Sequence, residues 1–170
     1  MLWLDLSPAL APIGWAVAGA VATRLYMPER ATNDLDVVIS ASDAAEARKK
    51  LKAAGFAYQG ELSVAGSAWV APDGTAVDVL EGADSWWTEA IAEAQSNRDA
   101  QGLPILPLRY LVLMKVRAGR LQDLADASRM LGQADAEALA SVRRLFDEHA
   151  PADREDLESL ITLGRLELEG

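Results

Sequence analysis

The chain has 170 residues, the size of one domain or of a domain with a short helical appendage. Apolar residues make up 51% of it, which excludes a largely disordered protein, and the absence of cysteine excludes disulfides and Cys-ligated zinc, as fits a reducing cytoplasm. The 16 basic and 26 acidic residues give a net charge of −10, which argues against non-specific binding to DNA or RNA but not against a local basic patch.

The uncharged stretch at residues 6–23 has the composition of a secretory or membrane segment. However, Asp5 precedes it and the first basic residue is Arg24, so the basic leader of a signal peptide is missing. Two prolines and two glycines also interrupt the stretch too often for a membrane span. We therefore expect folded core here, no association with a membrane, and a cytoplasmic protein.

The first half of the chain alternates between strand and helix patterns. A short helical turn precedes a buried strand in "WAVAG", which leads into a helix closed by Pro28. The run from Leu35 to Ile39 is rich in β-branched residues and predicts a second strand, and "SDAAEARKKLKAAGF" predicts a helix that ends at Gly55. Two strand-like runs, "LSVAGSAWVA" and "TAVDVLE", then flank Pro72-Asp73-Gly74, which predicts an antiparallel hairpin.

Helical patterns dominate from Ser85 onward. They comprise "SWWTEAIAEAQ", "PLRYLVLMKVRAG", "LQDLADASRMLG", "DAEALASVRRLFDEH" and "PADREDLESLITLG". A soft boundary falls near "NRDAQGLPILP". The order of elements therefore predicts an α+β N-terminal part followed by a helical C-terminal part.

Three aspartates interrupt the strand patterns. Asp34 and Asp36 are two apart, so both carboxylates point to the same face of their strand. Asp78 lies between two valines, where an unpaired carboxylate would cost several kcal/mol to desolvate. On neighbouring strands, three carboxylates would form a hard-oxygen site suited to Mg²⁺. Taken alone, Asp34 is better explained as a turn or capping residue after Asn33, whereas the set of three favours a metal site.

Gly19 and Ala20 stand at the predicted turn from strand to helix. Small residues there let backbone N–H groups approach a phosphate closely. The residues that carry chemistry thus form a set, in which a phosphate-binding turn is followed by the three aspartates.

The run "VAGAVATRLYMPERATNDLDVV" resembles the signature of nucleotidyltransferases, which is Gly followed by Gly or Ser, a gap, and an Asp-x-Asp that opens a strand. It is most similar to the abortive-infection and toxin-antitoxin (AbiEii-like) branch, whose Arg-x-Thr-x-Asp-h-Asp run matches Arg30, Thr32, Asp34 and Asp36. The likeness covers residues 15 to 131. Ala20 departs from it, because the family usually has Gly or Ser there.

The resemblance implies a nucleotidyltransferase fold of the α+β class, with a small mixed β-sheet flanked by helices and a helical C-terminal part. It places the nucleotidyltransferase core at residues 1–100 and the helical part at 101–170, packed on the core as one unit. The implied reaction moves a nucleoside monophosphate from an NTP to a hydroxyl of RNA, protein or a small molecule, with two Mg²⁺ ions. A toxin-antitoxin role would add an antitoxin or other partner protein.

The resemblance also implies roles for individual residues. The metal ions would be held by Asp34, Asp36 and Asp78, which with Asp123 form the implied catalytic set. A Lys and an Asp-x-x-Asp follow in the family, and Lys115, Asp123 and Asp126 supply them here. The nucleotide would be bound by Gly19, Ala20, Arg30, Thr32 and Lys115.

Several bland explanations stay open beside these roles. Lys115 lies on an apolar helical stripe but could extend its ammonium to solvent, and Asp123 could serve to cap its helix. The pair Trp86-Trp87 is more typical of core than of a base-stacking platform. The alternative function is a degenerate domain that binds a nucleotide or a partner protein without turnover, and Ala20 is the residue that favours it.

Overall fold

The structure, a computed structural model, describes residues 2–169. Contacts within the chain divide it into two compact units. The sheet unit comprises the residues up to Ala22 and those from Arg30 to Leu106. The helical unit comprises Thr23–Glu29 and the residues from Pro107 onward.

The sheet unit contains a mixed sheet of five strands in the order β1-β2-β5-β4-β3. Strands β2 and β5 run parallel, and the other neighbouring pairs are antiparallel. The strands are β1 (Trp15–Val17), β2 (Asp34–Ser40), β3 (Ala57–Glu61), β4 (Gly66–Val70) and β5 (Ala76–Gly82). The helices of this unit are α1 (Ser7–Leu10), α2 (Gly19–Ala22), α3 (Ala44–Ala53) and α4 (Trp87–Ala94).

The alternation of residues in β2 places a continuous row of apolar side chains on one face of the sheet. Leu35, Val37 and Ile39 are almost completely buried on one face, together with Val79 of β5 and Trp69 of β4. Each of these aliphatic side chains contributes about 1.5–3 kcal/mol when it is removed from water. This face, which we call the α3 face, anchors the sheet and fixes its register, because a slip of one residue would expose the whole set.

Helix α3 packs on the α3 face. Its Arg48 forms salt bridges with Glu81 of β5 (2.8 Å) and with Glu61 of β3 (2.6 Å), and the Lys52 ammonium lies over the Tyr58 ring at 5.9 Å. Glu81 pairs in register with Ile39, so its side chain points to the same face as the buried aliphatic residues.

Strand β3 is the element that the sequence analysis missed. Its five residues, "AYQGE", contain no β-branched residue and one glycine, and they therefore lack the composition of a strand. They pair with β4 through an irregularity between Tyr58 and Gly60 and form the edge of the sheet. The predicted hairpin of β4 and β5 is confirmed.

The helical unit contains four helices, as the apolar patterns predicted: α5 (Leu108–Ala118), α6 (Leu121–Gln133), α7 (Ala136–His149) and α8 (Arg154–Glu169). Gly119 ends α5 in the left-handed conformation. Helices α6 and α8 pack closely at Gly164, where a Cβ would overlap the carbonyl oxygen of Ser128. Among residues 2–169, no helix has the length and apolar character that crossing a membrane requires.

Candidate active site

Three aspartates meet on the sheet face opposite to α3, which we call the carboxylate face. Asp36 of β2 and Asp78 of β5 are register partners in the parallel pair, and Asp34 lies two residues before Asp36 on the same face. One carboxylate oxygen from each residue lies within 4.8 Å of the other two. The structure thus brings together the three carboxylates that the sequence analysis singled out.

The close carboxylates affect one another electrostatically. Burial raises the pKa of the Asp78 carboxyl above its ordinary value, and the negative charge of Asp34 raises it further. A divalent cation between the carboxylates would reverse this effect, since it favours their ionised forms. The donor set fits Mg²⁺, which prefers carboxylate oxygens and completes its shell with water and phosphate oxygens.

Asp78 provides a test of this electrostatic arrangement. Its folded pKa lies above its unfolded pKa, so the folded chain loses stability as the pH rises through the unfolded and then the folded pKa. Without a divalent cation, we expect Asp78→Asn to raise the melting temperature at pH 7 and to raise it less near pH 4. Thermal unfolding at both pH values, with and without Mg²⁺, measures this. Added Mg²⁺ should stabilise the natural chain more than the variant, and a loss of stability in cation-free Asp78→Asn would contradict the arrangement.

The segment before β2 holds Asp34 in place. The Thr32 hydroxyl donates a hydrogen bond of 2.5 Å to the Asp34 Oδ1. Arg30 lies four residues before Asp34 and donates to the carbonyl oxygen of Ala31 at 3.5 Å, the limit of a hydrogen bond. Thr32 is therefore placed to orient one of the three carboxylates, whereas direct nucleotide binding by Thr32 and Arg30 stays a prediction.

Gly19 packs directly against the Asp36 carboxylate. It begins α2 with a positive φ of 58°, a conformation that favours glycine. A Cβ built on Gly19 would overlap the Asp36 carboxylate. The absence of a side chain at Gly19 thus gives Asp36 the space to face the other two aspartates.

We expect Gly19→Ala to weaken Mg²⁺ binding, because the new methyl group must displace the Asp36 carboxylate. Backbone strain at positive φ adds roughly 1 kcal/mol of destabilisation. Gly74→Ala is the matched control, since Gly74 has a φ of 90° and no atom within 4 Å of its Cβ position. Calorimetric titration with Mg²⁺ should show weaker binding for Gly19→Ala only; equal affinities in the two variants would contradict the packing argument.

Ala20 follows Gly19 in α2 and is buried. Among residues 2–169, no residue other than glycine has a positive φ. The φ of Ala20 is therefore not positive, and an alanine adopts this conformation without strain. The departure from Gly or Ser does not distort the turn. Backbone strain at Ala20 is therefore no reason to expect a degenerate site, whereas the hydroxyl of the family's Ser is still missing.

Lys115 belongs to a buried ion-pair network of the helical unit. Its ammonium donates to Asp126 at 2.9 Å and to Asp123 at 3.2 Å, and its side chain is only 4% exposed. Arg120 donates to Asp123 at 2.6 Å, and Gln122 donates to Asp126 at 2.8 Å. The apolar stripe thus predicted the burial of Lys115, while the roles of Lys115 and Asp123 toward a nucleotide stay predictions.

Trp86 and Trp87 are core residues, as the blander explanation held, with 3% and 8% exposure. The Trp87 indole donates a hydrogen bond of 2.7 Å to the carbonyl oxygen of Ile39, and its ring occupies the space beside Gly82. Gly82 lies four residues after Asp78 on the same face of β5, so Trp87 covers the carboxylate face beyond the aspartates.

The helical unit contains an open cavity of about 560 Å³. It contains none of the predicted site residues. Its lining is Arg24, Leu25, Tyr26, Met27, Pro28, Leu108, Met130, Gln133, Ala134, Asp135 and Ala138.

Comparison of the chain with solved structures identifies its fold. The solution structure of the antibiotic-resistance factor ANT(2'')-Ia matches with a TM-score of 0.57 over 86% of this chain and 89% of that one, at 14% sequence identity. The chain has the nucleotidyltransferase fold. This identity is low enough that the likeness extends to the fold alone.

Two further structures with this fold resemble the chain more distantly. The crystal structure of ANT(2'')-Ia in complex with adenylyl-2''-tobramycin has a TM-score of 0.48 at 16% identity and covers 92% of this chain and 89% of its own. A candidate nucleotidyltransferase from Thermotoga maritima has a TM-score of 0.45 at 13% identity and covers 81% of this chain and 84% of its own. Comparisons with protein-family profiles and with curated proteins find no match.

Proposed function

We propose that this chain is an Mg²⁺-dependent nucleotidyltransferase that moves a nucleoside monophosphate from an NTP to an acceptor hydroxyl. The observation that supports this most directly is the convergence of Asp34, Asp36 and Asp78 within 4.8 Å on one sheet face. Like charges held this close together cost free energy, and a cation site accounts for why three of them meet. The shared fold agrees with this chemistry but does not by itself establish it.

In this proposal each residue has a distinct task. Asp34 and Asp36 would hold the metal ions, and Asp78 would hold the ion on the acceptor side. Bound Mg²⁺ would activate the attacking oxygen and neutralise the leaving pyrophosphate. Asp78 would also lie beside the acceptor hydroxyl and could accept its proton. The backbone of Gly19 and Ala20 would bind the phosphates of the nucleotide.

The reaction conserves atoms and charge. The acceptor oxygen forms a bond to the α-phosphorus, the bond from that phosphorus to the bridging oxygen breaks, and pyrophosphate leaves. The hydroxyl proton passes to Asp78 or to water. Arg30 and Lys115 offset triphosphate charge in this proposal; two of the three ammonium N–H groups of Lys115 bind Asp123 and Asp126.

The experiment follows pyrophosphate release and label transfer with each α-labelled NTP. Total RNA, protein and a small-molecule extract are offered separately as acceptors. Mg²⁺-dependent binding of a non-hydrolysable ATP analogue is measured beside it. Loss of both binding and transfer on omission of Mg²⁺ supports the proposal, and metal-independent binding without pyrophosphate release would overturn it.

The finer assignment to an AbiEii-like toxin-antitoxin component rests on the Arg30, Thr32, Asp34 and Asp36 run. It forms part of the proposal and has its own test. Induced expression of the chain should arrest growth of a bacterial host, and the Asp34→Asn variant should not. Normal growth with the natural chain at equal expression would remove the toxin assignment without affecting the proposed reaction.

A further inference from the structure

The open cavity of the helical unit is a candidate ligand site that contains none of the three aspartates. Its volume of about 560 Å³ lies within the range of about 300–1,000 Å³ that is typical of small-molecule sites. Every residue that lines the cavity belongs to the helical unit. The site is therefore complete within one compact unit of the chain.

Most of the cavity wall is apolar. Met27, Leu108 of α5 and Met130 of α6 line it with largely buried side chains, and Leu25 adds an exposed apolar side chain. Such a wall favours a ligand with an apolar body, because binding removes apolar surface of both partners from water. The flexible thioether side chains of the two methionines can adapt to the shape of that body.

The cavity wall also carries a cation. Of the lysines and arginines that the structure describes, Arg24 alone lines the cavity. Its side chain is only 13% exposed, so solvent screens the guanidinium charge less than it screens a surface charge. The planar guanidinium presents parallel N–H donors that match the two oxygens of a carboxylate. The group of a ligand that complements Arg24 is therefore a carboxylate.

Two acidic side chains oppose this preference, but each does so weakly. Glu29 lies 3.9 Å from Arg24, which is beyond hydrogen-bond distance, and its side chain is 43% exposed. Asp135 is exposed and accepts a hydrogen bond of 2.8 Å from the Ala138 N–H at the start of α7. Solvent screens both carboxylates more than Arg24. A ligand carboxylate at hydrogen-bond distance would interact with Arg24 more strongly than Glu29 does.

The charge of the wall also limits the charge of the ligand. A nucleoside triphosphate carries several negative charges, and proteins bind it through Mg²⁺ and several cationic or N–H donor groups. A single guanidinium with Glu29 and Asp135 nearby does not offset such a charge. A ligand with one negative charge matches the cavity better than a second nucleotide does.

We infer that the cavity binds a small monocarboxylate with an apolar body. The carboxylate pairs with Arg24, and the body lies against Met27, Leu108 and Met130. This inference goes beyond the proposed nucleotidyl transfer and does not rest on it. The ligand contacts both the segment Thr23–Glu29 and helices of the same unit, so its binding stabilises the helical unit.

The first experiment varies the charge of the ligand on a constant apolar body. Phenylhexanoate, its uncharged amide and the cationic phenylhexylamine are titrated calorimetrically into the full chain without Mg²⁺ or NTP. We expect the carboxylate to bind roughly tenfold tighter than the amide, and the amine to bind most weakly. No binding of the carboxylate, or binding of the amide or amine as tight as that of the carboxylate, would overturn the inference. Because nucleotide and Mg²⁺ are absent, these results do not depend on the proposed function.

The second experiment varies the charges of the wall, with phenylhexanoate as the probe. Arg24→Gln should weaken its binding roughly tenfold, to the level of the amide. Glu29→Gln and Asp135→Asn remove the opposing charges and should each tighten binding about two- to threefold, and asparagine keeps the cap of α7. Arg144→Gln is the matched control, since Arg144 is exposed on α7 and does not line the cavity; its affinity should equal that of the natural chain.

The two tightening variants keep the test decisive if Arg24→Gln folds poorly, because unfolding cannot raise an affinity. Tighter binding in Glu29→Gln and Asp135→Asn supports a carboxylate beside Arg24. Unchanged or weaker binding in both of them, equal affinities of the natural chain and a folded Arg24→Gln variant, or an equal loss in Arg24→Gln and Arg144→Gln would overturn the inference.

Discussion

Replacing Asp34 and Asp36 together by asparagine should abolish nucleotidyl transfer, with a loss of at least ~1,000-fold in turnover. Removing one electrostatic contact to a transition state typically costs about 10²–10³-fold, and in the proposed function these two residues would hold the ions that neutralise the triphosphate. The amides keep the shape of the carboxylates but not their charge, so the sheet should remain folded. Initial rates of pyrophosphate release with saturating NTP measure the loss, and circular dichroism verifies the fold.

A matched control separates the site from the overall charge. The double variant Glu46→Gln with Glu89→Gln also removes two negative charges, but from exposed positions on α3 and α4. This control should keep its turnover within about twofold, since screened surface charges contribute little at a distance. Comparable losses in the two double variants would show that general acidity, and not the three carboxylates, governs activity.

The strand phase of the site could be predicted from sequence. The spacing of Asp34 and Asp36 within an apolar run fixes that both point to the face opposite Leu35, Val37 and Ile39, because side chains alternate along a strand. The pairing of Asp36 with Asp78 could only be expected, since register between strands 42 residues apart depends on the packing of the whole sheet. The structure supplies that register, and with it the distances that define the candidate site.

Two features of the fold escaped the sequence analysis for physical reasons. Strand β3 has weak strand propensity and is held by its pairing with β4 and by contacts such as the edge-on packing of Tyr58 against Trp69 at 5.2 Å. The segment Thr23–Glu29 belongs to the compact helical unit although it lies early in the chain. No local pattern encodes such an assignment, because it depends on contacts that are distant in sequence.

The ion-pair network of Lys115 was predictable from the sequence only in part. Helical periodicity placed Lys115 on an apolar stripe, which predicts burial. Its partners Asp123 and Asp126 lie 8 and 11 residues further, on a different helix, after the left-handed turn at Gly119. The family resemblance implied a catalytic role for Asp123, and its position near the start of α6 suggested a capping role. The observed contacts of Asp123 include ion pairs with both Lys115 and Arg120.

Asp126→Ala should lower the free energy of unfolding of the full chain by about 3 kcal/mol. Asp126 is completely buried, and its removal leaves the Lys115 ammonium in a low-dielectric environment with only Asp123 as its anionic partner. Breaking a buried ion pair from one side typically costs about 3–5 kcal/mol, and the remaining Asp123 contact keeps the expected loss near the lower end. Urea unfolding, followed by the helical circular dichroism signal at 222 nm, measures the change in the free energy of unfolding.

The control variants determine whether the loss comes from an orphaned charge. Arg129 lies on the same helix as Asp126 and forms an ion pair with the half-exposed Glu167. Glu167→Ala removes this pair and should lower the free energy of unfolding by less than about 1 kcal/mol. The double variant Lys115→Met with Asp126→Leu removes both buried charges and leaves Asp123 paired with Arg120, so it should recover most of the lost stability. If Asp126→Ala costs no more than Glu167→Ala, or if the double variant is less stable than Asp126→Ala, the network does not stabilise the helical unit through charge pairing. With the expected recovery, the double variant is folded, so any loss of NTP binding that it displays would come from the missing Lys115 and Asp126 side chains and not from unfolding.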